Sequence, residues 1–146
     1  MVIQKNNKSI LFLCTGNSCR SQIAEGIAKK ILGDSCKIES AGTEAHGVNP
    51  NAIVTLKEIG IDISKNKSKK VKTMDLANFN LIITLCGDAR DKCPVFRSDI
   101  EHIHWDIEDP ASFKVSMKEV KNKYSQTRNI ILEKIKDLKM ILGKEK

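Results

Sequence analysis

Residues 9–32, SILFLCTGNSCRSQIAEGIAKKIL, hold an apolar run, a short polar loop and a segment of helical period. Ser9–Cys14 has the length of a strand and is continuously apolar after Ser9, the pattern of a parallel strand buried on both faces. Ile23, Ala24, Ile27, Ala28, Ile31 and Leu32 recur on one face of a helix that Gly33 is placed to end. A buried strand that runs directly into an amphipathic helix is the opening of an α/β sheet. Cys14 closes the strand, and Arg20 stands six residues later where the helix begins.

The rest of the chain repeats this alternation. "CKIESAG" (36–42) reads as a second strand. "NPNAIVTLKEIG" (49–60) reads as a helix capped by Asn49, with Pro50 at its first position and Gly60 at its stop. "KTMDLANF" (72–79) predicts a short helix and "NLIITLC" (80–86) a third strand. "IEHIHWDI" (100–107) is a fourth strand, and its alternation places it near an edge. From about Ser116 to Leu142 runs one long amphipathic helix, with Val120, Tyr124, Ile131, Ile135, Leu138 and Leu142 along one stripe. The expectation is an open α/β sheet of parallel strands in a single domain spanning residues 1–146. Ligands of such sheets bind beyond the carboxyl ends of the strands. Cys14, Cys86 and the acidic "DIEDP" (106–110) each follow a strand.

Composition narrows the functional classes. No apolar stretch is long enough to span a membrane. The first residues lack the charged start, apolar middle and small-residue cleavage site of a secretion signal, so a cytoplasmic protein is expected. The formal charge of +7 is concentrated in Lys65, Lys67, Lys69, Lys70 and Lys72 and in the last helix. Aromatic residues that would stack bases are not interleaved with these lysines, so they read as a solvated face and no nucleic-acid partner is expected. Five cysteines, Cys14, Cys19, Cys36, Cys86 and Cys93, are an odd number and form no disulfide framework in a reducing compartment. Their C-x4-C and C-x6-C spacings are not those of zinc ligands, which leaves nucleophilic or redox work. His102 and His104 alternate on the fourth strand without a third ligand nearby and read as ordinary strand histidines; Cys36 reads as a small core residue.

The loop after the first strand carries the chemistry. The N–H groups of a tight strand-to-helix loop form an anion-binding concavity, and the helix N-terminus adds partial positive charge. Gly16 relieves the curvature and Asn17 tolerates left-handed backbone. The Arg20 fork suits two oxygens of a tetrahedral anion. Cys14 at the base of this cradle is placed to attack the central atom of the anion.

These residues carry a family resemblance. "LCTGNSCRS" (13–21) resembles the phosphate loop of the low-molecular-weight protein tyrosine phosphatases, and more closely that of the thioredoxin-coupled arsenate reductases that share their fold. The resemblance extends through "EDP" (108–110) into the final helix. It implies a four-stranded parallel sheet flanked by helices, with Cys14 as nucleophile. Thr15, Gly16, Asn17, Ser18, Cys19, Arg20 and Ser21 would form the oxyanion loop, Arg20 binding the anion, Ser21 supporting the Cys14 thiolate and Asn17 holding the loop's shape. It also implies Asp109 as the general acid and a monomer that takes arsenate.

Phosphatase and reductase share the loop, so extra thiols separate them. A phosphatase needs no further cysteine, whereas arsenate must gain two electrons, and thiols are the two-electron donors this chain carries. Cys86 and Cys93, with six residues between them in a polar loop, look like the resolving pair of the arsenate reductases. By that resemblance, Cys86 attacks Cys14 and releases arsenite, Cys93 attacks Cys86, and thioredoxin reduces the final disulfide. The phosphatases typically carry tyrosines after their Asp-Pro acid; "DPASF" has none, and Tyr124 is the sole tyrosine. The alternative is a phosphatase working through a Cys14 phosphoenzyme, and under the reductase reading weak phosphatase action on small phosphoesters is expected as a side activity. Some relatives bind potassium with residues matching Asn17, Glu25 and Ser40, but a further carboxylate falls at Lys69 here, so no metal or other cofactor is assigned.

Overall fold

The structure, a computed structural model, describes residues 8–92, 99–112 and 116–144. Cys93 lies outside the described residues. Four strands, β1 (Lys8–Cys14), β2 (Cys36–Gly42), β3 (Leu81–Thr84) and β4 (Glu101–His104), form one all-parallel sheet in the order β2-β1-β3-β4. Helices α1 (Arg20–Leu32), α2 (Pro50–Lys57) and α3 (Gly87–Lys92) connect them in turn, and α4 (Met117–Lys144) closes the chain.

The apolar run of β1 places it at the centre. Ile10, Leu11, Phe12 and Leu13 are fully buried between β2 and β3, with Phe12 paired to Ser40 on one side and Ile83 on the other. Burying side chains of this size contributes about 1.5–3 kcal/mol each. Strand order reverses between β1 and β3: the chain leaves β1 toward β2 through α1, then returns to the other side of β1. The crevice at such a reversal is where a parallel sheet binds its ligand, and Cys14 ends β1 there. α4 packs against α1 and α2, burying Tyr124, Ile131, Ile135, Leu138 and Leu142.

Several elements differ from the sequence expectation. Residues 72–79 form no α-helix but lie within two 3₁₀ turns, Val71–Thr73 and Leu76–Asn78, joined by extended backbone at Met74 and Asp75. The Asp75 carboxylate takes the Ala77 N–H at 3.0 Å, offering the backbone a local turn instead of a helix. α2 ends at Lys57, and Gly60 (φ 80°) supplies the left-handed backbone that turns the chain afterwards. β4 covers only Glu101–His104, although Trp105 N–H still reaches Thr84 O at 2.8 Å and Ile107 N–H reaches Leu85 O at 3.2 Å. Those two bonds keep residues 105–107 beside β3 and so fix where Asp109 emerges. β4 is exposed to half-buried, as an edge strand should be.

Candidate active site

Residues 14–20 fold as they do because their carbonyls are drawn to the protein side. Thr43 N–H donates to Cys14 O, Glu44 to Thr15 O, His46 to Gly16 O and Asn49 to Ser18 O, at 2.8–3.1 Å. With the carbonyls tied to the segment between β2 and α2, the loop N–H groups are left for the cavity, the arrangement of an anion-binding nest. Helix α1 begins at Cys19 without a side-chain cap, so its first N–H groups add to the same positive end. The cavity has a volume of about 230 Å³; Cys14, Thr15, Gly16, Ser18, Cys19 and Arg20 line it from the loop, and His46, Asp109 and Ala111 from its rim.

Asn17 is the buried keystone. Its φ of 49° lies in the left-handed region, which Asn tolerates better than most residues. Its amide donates to Ser21 Oγ (2.7 Å) and Ser40 Oγ (2.9 Å), and its Oδ1 accepts from Lys69 N–H (2.9 Å) and Gln22 Nε2 (3.1 Å). Ser68 Oγ donates to its backbone carbonyl at 2.7 Å. The lysine-rich segment therefore contributes main-chain and hydroxyl groups to the site, while the Lys69 ammonium points away to Glu39 at 3.3 Å. Ser21 Oγ lies 2.8 Å from Cys14 Sγ, completing a chain from the nucleophile through Ser21 and Asn17 to Ser40. The Ser40 hydroxyl donates to Glu25, a buried carboxylate whose other oxygen accepts from Lys29 Nζ at 2.7 Å. Glu25 is thus neither exposed nor part of a helix cap, the two ordinary roles open to a glutamate at that position.

Arg20 is oriented by the chain after β4. Its Nη1 donates to Ile107 O at 3.0 Å, and its other terminal nitrogen stands 3.7 Å from an Asp109 oxygen. The second Asp109 oxygen accepts the Ala111 N–H at 2.9 Å, which fixes the carboxyl at the cavity wall. Cys86 follows β3 on the same sheet edge. Its sulfur accepts the Ala89 N–H at 3.3 Å, the position of an N-cap side chain on α3, and lies 3.3 Å from Thr15 Oγ1. The residues after Cys86 form a six-residue helix rather than an irregular loop. Cys14, Arg20 and Asp109 share the lining of the cavity, Cys86 stands beside it against Thr15, and no disulfide joins the four described cysteines.

Other residues of the site carried no signal in the sequence. His46 lies against Gly16, where an added Cβ would come within 2.5 Å of its Nδ1. Gly42 has no room for a side chain because the Thr15 carbonyl and the Asn17 N–H stand where a Cβ would go. Tyr124, far away in sequence, places its hydroxyl 3.2 Å from Cys19 Sγ. Burial pushes the Cys19 thiol up from its ordinary value against the opposing hydrogen bonds of Tyr124 and Ser18. Burial likewise holds the Tyr124 phenol well above its usual range. Trp105 packs on Phe12 at 6.0 Å between ring centres, with Lys134 Nζ 5.9 Å from its ring. His102 Nε2 and His104 Nδ1 both contact Thr84 Oγ1, at 3.0 and 2.8 Å. Among the described residues no three His, Cys, Asp or Glu side chains gather as a metal site, and no helix is long and apolar enough to cross a membrane.

A four-stranded parallel sheet with a cysteine-arginine anion loop at its switch point defines a phosphatase-like α/β class. Residues 9–146 match the family "Low molecular weight phosphotyrosine protein phosphatase", and the chain belongs to it. It is 49% identical over 131 residues to a protein of Bacillus subtilis (strain 168) named arsenate reductase, covering 90% of this chain and 94% of that one. A solved structure described as an arsenate reductase in the phosphate binding state superposes with a TM-score of 0.75 at 29% identity, over 95% of this chain and 99% of that one. A low molecular weight protein tyrosine phosphatase from T. tengcongensis superposes at 0.70 and 27% identity, over 90% and 99%. The expected fold is the one found.

Proposed function

We propose that this protein reduces arsenate to arsenite through a three-cysteine relay. The observation that carries the reading is the Cys86 sulfur held 3.3 Å from the hydroxyl of Thr15, the residue next to the nucleophile, on the same sheet edge as Cys14. A phosphatase has no use for a thiol there. The similarity to named arsenate reductases supports the same substrate.

Arsenate enters the cavity as an anion, held by loop N–H groups and the Arg20 fork. Cys14 attacks arsenic, Asp109 protonates the departing oxygen, and water leaves. Cys86 then attacks the Cys14 sulfur. The sulfur–arsenic bond breaks, its electron pair goes to arsenic, and arsenic leaves as As(III) while a Cys14–Cys86 disulfide forms. Cys93 attacks Cys86 and frees Cys14, and the Cys86–Cys93 disulfide passes to thioredoxin. No step of this scheme is assigned to a metal ion. The protein acts as a cytoplasmic monomer. Since the cradle binds any tetrahedral oxyanion, slow hydrolysis of small aryl phosphates accompanies the main reaction.

The test is arsenate-dependent NADPH oxidation with thioredoxin and thioredoxin reductase. Sustained oxidation is expected for the wild type, none for Cys14→Ser, and a single round of arsenite release for Cys93→Ser. If Cys93→Ser turns over at the wild-type rate, the relay is wrong; aryl phosphate hydrolysis without any NADPH oxidation would make the protein a phosphatase.

A further inference from the structure

The anion loop contains a second thiol that the relay does not use. Cys19 lines the same cavity as Cys14. A thiolate at Cys19 that reached the Cys14–arsenic adduct would do the same chemistry as Cys86. It would attack the Cys14 sulfur, the sulfur–arsenic electron pair would leave with arsenic as As(III), and a Cys14–Cys19 disulfide would form. Electrons balance as well as in the productive route, since arsenate is the oxidant in both. The product would be a dead end, because that disulfide closes the loop that must bind the next anion. Something must therefore set Cys86 ahead of a thiol that sits in the loop itself.

The structure supplies a restraint. The Cys19 sulfur is turned to Tyr124 Oη at 3.2 Å, and both residues are almost fully buried. A phenol is a much stronger hydrogen-bond donor than a thiol, so the O–H donates to sulfur. Tyr124 comes from α4, which packs against α1, so the anchor is fixed by the core and does not move with the loop. Its hydroxyl also takes a hydrogen bond from the Asn51 side chain, a contact that Tyr124→Phe loses whether or not Cys19 is present.

We propose that Tyr124 is a positioning residue that holds the Cys19 thiol away from Cys14, so that Cys86 resolves the arsenic adduct. The proposal rests on the relay reading above. Its effect is on position: donation to sulfur by itself favours the thiolate, so loss of the hydroxyl raises Cys19 reactivity only by freeing its rotamer. Burial, which pushes the Cys19 thiol above its ordinary value, acts in the same protective direction.

Tyr124→Phe removes the hydroxyl and keeps the buried ring. In a Cys93→Ser background the protein is given arsenate without thioredoxin, quenched with an alkylating agent and mapped by mass spectrometry for disulfide pairing. Cys93→Ser alone is expected to hold Cys14–Cys86, while Tyr124→Phe/Cys93→Ser shifts Cys14–Cys19 from a trace to a major product. In steady state Tyr124→Phe loses turnover several-fold relative to wild type. The same Tyr124→Phe change made on Cys19→Ala costs no further turnover, because there is no thiol left to restrain. Unchanged pairing in Tyr124→Phe/Cys93→Ser overturns the proposal, as does an equal turnover loss with and without Cys19. A Cys93→Ser protein that forms no Cys14–Cys86 disulfide overturns the relay reading itself, a result separable from either.

Discussion

The carbonyls of Cys14, Thr15, Gly16 and Ser18 are each bonded to the segment 43–49, and Asn17 is gripped by Ser21, Ser40, Gln22 and Lys69. Cys86, by contrast, has the Thr15 hydroxyl and one N–H of a six-residue helix about its sulfur. Cys14 ends β1 and Cys86 follows the neighbouring β3, yet the two thiols are held to different degrees. A nucleophile that attacks a bound anion gains from a cradle that does not reorganise. A thiol that must next reach its neighbour's sulfur gains from light restraint, and a helix as short as α3 is marginal by itself. Under the proposed relay, the tightly bonded cradle serves the attack on the anion and the lighter hold on the Cys86 sulfur serves the attack that follows.

The largest expected effect comes from weakening the rigid side. Arg20→Lys keeps the charge but loses the fork and the bond to Ile107 O, and arsenate turnover should fall by about 10²–10³-fold, read from kcat/KM, with little change in melting temperature. Asn17→Ala removes four side-chain hydrogen bonds, three of them buried, and puts a poorly suited residue at φ 49°. It should cost about 2–4 kcal/mol in denaturant unfolding together with most of the activity. Asn17→Gly, which accepts the backbone but not the bonds, should lose less stability than Asn17→Ala; an equal loss would show that the bonds alone matter.

The lightly held side should respond in another way. Thr15→Val removes the hydroxyl next to Cys86 and leaves the loop carbonyl bonds in place. Single-turnover arsenite release should change several-fold while oxyanion affinity, read from phosphate inhibition, stays near wild type. If affinity changes as much as release, the two regions are one rigid unit and the contrast fails.

The smallest effect lies at the edge strand. Burial, with the charges of His104 and Arg90, holds His102 below the ordinary imidazole value. The unfolded chain therefore binds this proton at higher pH than the folded one, so stability rises with pH across that interval. Its contribution is full above about pH 6.5 and is lost as the pH falls toward the folded value. His102→Gln should flatten the dependence of melting temperature on pH between about 7.5 and about 5.5. An unchanged slope would remove His102 from the account.

Much of this was legible locally. The apolar run to Cys14, the helical period from Ile23 to Leu32 and the Asn49–Pro50 start of α2 each report their own backbone, because strand and helix are set by side chains a few residues apart. The edge character of β4 showed in its alternation. The residues 72–79 misled because a short apolar spacing reads alike for a helix and for two turns, and the Asp75 side chain decided between them. Period and spacing did not show the buried setting of Glu25 because its hydroxyl partner, Ser40, comes from β2 while Glu25 lies on α1; only the family resemblance grouped the two.

By itself the sequence determined the parallel sheet, the anion loop between β1 and α1, and which side chains stand at the carboxyl ends of the strands. These follow from local period and from the backbone freedom of Gly16 and Asn17. Only the tertiary structure decided what surrounds them: the main chain of Lys69 on Asn17, the missing side chain of Gly42 behind the loop, the His46 rim and the Tyr124 hydroxyl on Cys19. Each is a contact between segments distant in the chain, made by a backbone group, an absence of atoms or a single hydroxyl. None of these leaves a period or a spacing in the sequence, so packing alone creates them.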